Sequence, residues 1–125
     1  MAEQKADVEA KMTQTMINNL SNADPQVRKK MLDMVMVMAY DPKRHPGLFV
    51  EKGGIPPLIE RFGEPDQILR HHAVEAVDRL AELGFADELE KAGVLPALGR
   101  LADDPWPPIQ KVAKRATGRI LKKGP

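Results

Sequence analysis

Apolar residues recur along this chain in helical phase, and one line of five positions comes three times. It reads Val27, Met31, Met34, Val35, Met38, then Leu69, Ala73, Ala76, Val77, Leu80, then Ile109, Ala113, Ala116, Thr117, Ile120. Steps of three and four place each set on one face of a helix. The sets lie about forty residues apart, a period that belongs to stacked helical units rather than to one closed globule.

The residues between these lines complete the units. Val8, Met12, Met16, Ile17 and Leu20 predict an amphipathic helix over about 5–20. Asp24 can cap a second helix with Pro25 at its first position, running to about Ala39. Tyr40 to Pro46 reads as a loop, and a short helix over Gly47–Lys52 stops at Gly53-Gly54. The second unit runs from Ile55 through a helix ending near Gly63, then a longer one over about 66–83. A short helix over Phe85–Ala92 opens the third unit, which repeats the order and ends near Lys122. Gly54 aligns with Gly93, Pro57 with Pro96, Ile17 with Ile59 and Leu98, and Leu20 with Phe62 and Leu101. The expected units are approximately 5–40, 46–83 and 85–123, each short, medium and long helix, with the short helix missing from the first. No strand pattern appears. The expected fold is all-α, one domain over 1–125, its long helices burying their apolar faces by stacking.

Composition narrows the function. Without cysteine the chain has no disulfide and no thiolate metal site. Met1 to Ala10 lacks the apolar core of a signal peptide, and no apolar run approaches the ~20 residues that span a membrane, so a soluble cytoplasmic protein is expected. The net charge of +1 names no partner, but it is unevenly spread. Beyond Asp104 there is no acidic residue, while Lys111, Lys114, Arg115, Arg119, Lys122 and Lys123 supply six positive charges, leaving −5 on the rest.

Candidate chemistry is sparse. His71 and Glu75 stand one turn apart beside His72, with no third ligand at suitable spacing, so no metal site is expected. No Ser/His/Asp grouping and no glycine-rich phosphate loop occurs, so neither catalytic residues nor a cofactor are expected. Of the many methionines, Met31, Met34 and Met38 fall on the apolar stripe and Met12 and Met16 on the facing helix, which assigns them to the core. Met36 is out of phase and expected to be the exposed one. Trp106 precedes Pro107-Pro108 at a helix start, either as a partner anchor or packed under the preceding turn.

Gly-Gly-Ile-Pro-Pro-Leu-Ile (53–59) and Ala-Gly-Val-Leu-Pro-Ala-Leu (92–98), each before a turn and a long helix containing Ala-x-x-Ala, resemble armadillo repeats. The stretch Leu69–Leu80 is similar to the long third helix of such a repeat, and the likeness extends over about 12–122, grading into HEAT repeats. It implies a right-handed α-solenoid of about three armadillo-like repeats. It also implies a protein-binding adaptor, scaffold or assembly accessory rather than an enzyme. In armadillo proteins the third helices line a concave groove for extended peptides, with a ladder of Trp and, one turn later, Asn. The corresponding Trp positions here hold Asp33, Glu75 and Arg115, and the Asn positions Val37, Arg79 and Arg119. The ladder is absent, so clamping of a peptide backbone through Asn amides is not expected.

Charge stands in its place. With Lys29, His71 and Lys111 one turn earlier, the lanes read Lys29-Asp33-Val37, His71-Glu75-Arg79 and Lys111-Arg115-Arg119. The expected partner-binding residues are His71, Glu75, Arg79, Lys111, Arg115 and Arg119. The arginines would donate paired hydrogen bonds to acidic groups of a protein or peptide. Three competing readings remain. The lanes can be ordinary solvated faces with weak His71–Glu75 and Glu75–Arg79 pairs. The basic last helix can meet nucleic acid, which the low aromatic content of 4% disfavours. An uncapped end can self-associate, unless the basic stripe of the last helix acts as its polar cap.

Overall fold

The structure, a computed structural model, describes residues 2–122. Helix starts are set by short acceptors and prolines. Asp24 accepts from the Gln26 amide at 2.9 Å and Asp66 from the Ile68 amide at 2.8 Å, the reach of an N-cap. The helices are α1 (Ala2–Asn19), α2 (Pro25–Tyr40), α3 (Pro46–Glu51), α4 (Ile55–Glu60), α5 (Gln67–Glu82), α6 (Ala86–Lys91), α7 (Val94–Leu101) and α8 (Pro107–Leu121). Tight helical turns at Pro42–Arg44 and Arg61–Gly63 join them, and the described residues contain no strand. No described helix is long and apolar enough to cross a membrane.

The long helices α2, α5 and α8 stack in sequence, with α5 packed between the other two. The medium helices α4 and α7 and the short α6 close the other side. The apolar line of α5 is wholly buried, as are Val74 and Ala81 on its flanks, because α5 has a neighbour on either side. In α8 the line is buried except for half-buried Thr117, whose hydroxyl donates to the Ala113 carbonyl at 2.9 Å. That bond satisfies the one polar group on the stripe. The packing is that of an all-α solenoid.

In α2 the line departs from expectation. Val35 and Met38 are buried, Val27 and Met31 half-buried, but Met34 is 42% exposed, and Met12 on α1 is 62% exposed. These two methionines are surface residues, not core. The reason lies in what surrounds each long helix. The neighbours of α8 are the preceding long helix α5, its own short helix α6 and its medium helix α7. Those of α2 are α1, the following α5 and the turn at Pro42–Arg44. Met34 therefore lies open where its counterparts Ala76 and Ala116 are fully covered. Met36, expected to be exposed, is half-buried against the core.

Candidate functional site

The lanes of α5 and α8 run beside each other, and a carboxylate between them organises the arginines. Asp78 of α5 is 3% exposed. It accepts from Arg115 Nε at 2.8 Å and from Arg119 Nε at 2.9 Å, one oxygen for each. One turn on, Glu82 accepts from Arg79 Nη1 at 2.6 Å and lies 3.4 Å from Arg119 Nη1. Arg79 also reaches back across the stack. Its Nε donates to the Ala39 carbonyl at 3.1 Å, and its guanidinium carbon sits 4.9 Å from the centre of the Tyr40 ring. One network thus ties α2, α5 and α8 together through Arg79, Arg115 and Arg119.

Charge in the network shifts its acids. The hydrogen bond from Arg79, and then the charge of Arg119, hold the Glu82 carboxyl below its ordinary range. Burial, and then the nearby Glu75 and Asp78 charges, push the Tyr40 hydroxyl up. Arg115 remains 46% exposed at its side chain. Its two terminal nitrogens make no hydrogen bond among the described residues, so they are free to donate outward while Nε is pinned.

The other lane residues are placed as follows. His71 Nε2 lies 3.5 Å from Glu75 Oε1, and the His71 ring meets Trp106 edge-on at 5.3 Å. Arg79 turns to Glu82 rather than to Glu75. Trp106 is half-buried against the core, so of its two readings the structure gives packing. Lys111 is exposed one turn before Arg115. On α2, Asp33 Oδ1 lies 3.2 Å from His72 Nδ1, an ion-pair distance without hydrogen-bond alignment. Among the described residues no group of three His, Cys, Asp or Glu could hold a metal.

Asp78 and Glu82 were not among the residues singled out from sequence. Their signal is the spacing of four that puts both carboxylates on one strip of α5, next to the lane. A second device was equally hidden. Arg28 at the start of α2 forks onto Glu64, with Nε at 2.6 Å and Nη2 at 2.9 Å. Arg70 at the start of α5 forks onto Asp104 at 2.8 and 3.2 Å. Each binds the turn before the next long helix.

Comparison with known proteins bears on the fold. No family model matches the sequence, and no curated protein matches it significantly. Solved structures do. A designed armadillo repeat protein in complex with the peptide (KR)4 superposes with a TM-score of 0.81 at 24% identity, over 90% of this chain and 48% of its own. An engineered protein superposes with a TM-score of 0.84 at 24% identity, over 97% of this chain and 30% of its own. Computationally designed armadillo repeat proteins for modular peptide recognition give 0.79 at 24% identity, over 90% and 48%. The chain spans less than half the length of each. Its fold is that of an armadillo-like repeat solenoid.

Proposed function

We propose that this chain is a non-catalytic protein-interaction module, an adaptor or scaffold, that receives an acidic, extended stretch of a partner along α5 and α8. The observation that carries the reading is the pinned arginine pair. Asp78 fixes Arg115 and Arg119 by Nε, which leaves guanidinium nitrogens pre-oriented for carboxylates and reduces the ordering cost of binding. Lys111 extends the positive edge, while His71 and Glu75 border it on α5. A peptide-binding neighbour of the same fold holds (KR)4. The arginine-rich edge here suits peptides of the opposite sign.

The test is fluorescence anisotropy with three labelled probes: a short Asp/Glu peptide, (KR)4 and single-stranded DNA, each at low and moderate salt. The acidic peptide is expected to bind, (KR)4 not to bind, and Lys111→Glu combined with Arg115→Glu to weaken the acidic peptide by about tenfold or more. Equal binding of (KR)4, or an acidic-peptide affinity indifferent to the double change, overturns the reading. DNA binding that exceeds the peptide and collapses with salt moves the function to the basic last helix.

A further inference from the structure

The arginine network also crosses the lanes, and its two ends differ in chemistry. Tyr40 of α2 lies against Arg79 of α5, Arg79 bonds Glu82, and Glu82 lies 3.4 Å from Arg119 of α8. Asp78 joins Arg115 to the same end through its bonds to both arginines. A continuous strip of neighbouring side chains therefore runs over all three long helices.

The end on α2 is apolar. Tyr40 is 51% exposed, and Val37, one turn before it, is 52% exposed. Val37 holds on α2 the place that Arg79 and Arg119 hold on α5 and α8. Arg79 takes up part of the Tyr40 ring, and half of the residue stays open to solvent. The lane position before Val37 is an acid, Asp33, more than half exposed and without an aligned hydrogen bond to His72. The matching position of α5 is a second acid, Glu75.

The middle of the strip is already engaged. Arg79 gives Nε to the Ala39 carbonyl, Nη1 to Glu82 and its charge to the Tyr40 ring, and only 22% of its side chain is exposed. It ties the strip together and offers little to a ligand. The end on α8 is cationic and open. Arg115 keeps both terminal nitrogens free of hydrogen bonds among the described residues, and exposed Lys111 stands one turn before it.

The two ends select opposite residues of a partner. An acid placed on Val37 and Tyr40 would meet Asp33 and Glu75, and like charges repel. An apolar side chain placed on Arg115 would take its guanidinium out of water without an acceptor, which is costly. A surface that rejects the wrong residue at each end fixes how a peptide lies on it. The distance between the ends fixes its spacing. Packed helices lie about 8–10 Å apart, so α2 and α8 are separated by about 16–20 Å across α5. An extended chain covers that distance in about five or six residues, at about 3.3 Å each.

Resting on the reading of α5 and α8 as a peptide site, we propose that the strip is a two-ended receptor reaching onto α2. An extended peptide of a partner protein sets an apolar or aromatic side chain on Val37 and Tyr40. About five or six residues away along the same peptide, an acidic group meets Arg115 and Lys111.

The test uses the whole chain and labelled peptides of equal length on a Gly/Ser background. The spaced peptide carries a leucine about six residues from a Glu-Glu pair, and it is made in both chain orders. Controls replace the leucine by serine, replace the glutamates by serine, or move the leucine next to the pair. Each is titrated by anisotropy against the unchanged protein, Val37→Ser, and Lys111→Glu combined with Arg115→Glu. The spaced peptide, in one of its two orders, is expected to bind about tenfold tighter than every control. Val37→Ser, at an exposed and uncharged position, is expected to remove most of that gain and to leave the leucine-free peptide unchanged. The double charge change is expected to weaken both. Equal binding of the spaced and leucine-free peptides overturns the two-ended strip and leaves the acidic-peptide reading standing. Equal binding of the adjacent-leucine peptide, or a gain untouched by Val37→Ser, also overturns it. Absence of binding by every peptide overturns both readings.

Discussion

At the scale of the residue, two glycines that look alike act for different reasons. Gly54 is buried ahead of α4 with an ordinary φ of −76°, and an added Cβ would collide with the ring of Phe49. That ring is fully buried and has nowhere to go. Gly93 has open space around it but φ of 85°, a left-handed conformation that costs other residues about 1–2 kcal/mol. The sequence aligns Gly54 with Gly93. In the structure the left-handed counterpart of Gly93 is Gly53, at φ 88°. Gly54→Ala is expected to cost roughly 1–3 kcal/mol by overpacking and to lower Tm by several degrees. Trimming the ring with Phe49→Leu should make Gly54→Ala milder in the double variant, and should do nothing for Gly93→Ala. Thermal unfolding of the three single and two double variants checks this, and equal coupling at both glycines would contradict it.

At the scale of the element, long helices are joined to the next unit through an arginine in their first turn. Besides its carboxylate, Arg28 binds the carbonyls of Asn22 and Ala23, and Arg70 those of Glu64 and Pro65. In α8 the same position is Gln110, which keeps the bond back to its own turn at the Asp104 carbonyl. The receiving acids are nearly buried, Glu64 at 5% and Asp104 at 7% exposure. The hydrogen bond from Arg28 outweighs burial and holds Glu64 below its ordinary range. Burial pushes Asp104 up, but the bonds from Arg70 and the Trp106 amide, with the Arg70 charge, together bring it below its ordinary range. Both acids are therefore more acidic folded than unfolded. Their contribution is fully present above the unfolded carboxylate values, about pH 4–4.5, and is lost as pH falls through the lower folded values. Urea unfolding is expected to show stability declining as pH drops below about 4.5. The Glu64→Gln, Asp104→Asn variant should be less stable by roughly 1–3 kcal/mol at neutral pH and should decline less steeply in acid. Parallel acid curves for the two proteins would remove these carboxylates from the account.

At the scale of the whole molecule, the stack makes the protection of a helix depend on how many neighbours it has. α5 is packed by α2 on one side and α8 on the other, and half of its residues are buried. α1 leans on α2 and α3, and among its described side chains Met16 and Ile17 are the buried ones. In repeat proteins stability is approximately a sum of units and nearest-neighbour interfaces, so the outer elements open first. Hydrogen exchange is expected to be slowest in α5 and fastest in α1, with α8 between them. Protection of α1 equal to that of α5 would show that the chain unfolds as one block. A peptide on the arginine lane is expected to slow exchange in α5 and α8 and to leave α1 unchanged.

Much of this architecture is legible in residue order because helical periodicity and caps are local. Met34, Val35 and Met38 fall on a strip whatever surrounds them, and Asp24, Pro25 and Asp66 start helices by bonding within a turn. The repeat of such strips about every forty residues already implies stacking. Which residues in a strip are covered is a different matter, because coverage comes from other units. Met34 and Ala116 hold the same place in their helices, yet the first is 42% exposed and the second buried, and their helices differ in what packs on them, α5, α6 and α7 on α8 but α1 and α5 on α2. The arginine lane divides in the same way. Its positions follow from spacing along α5 and α8. The pinning of Arg115 and Arg119 depends on Asp78, 37 and 41 residues earlier, and on the closeness of two helices that the stack alone provides. The sequence by itself determined the helices, their faces and their repeat, since these need only neighbours within a turn. The tertiary structure decided which charges are paired and which apolar residues stay exposed, since both depend on groups brought together from different units.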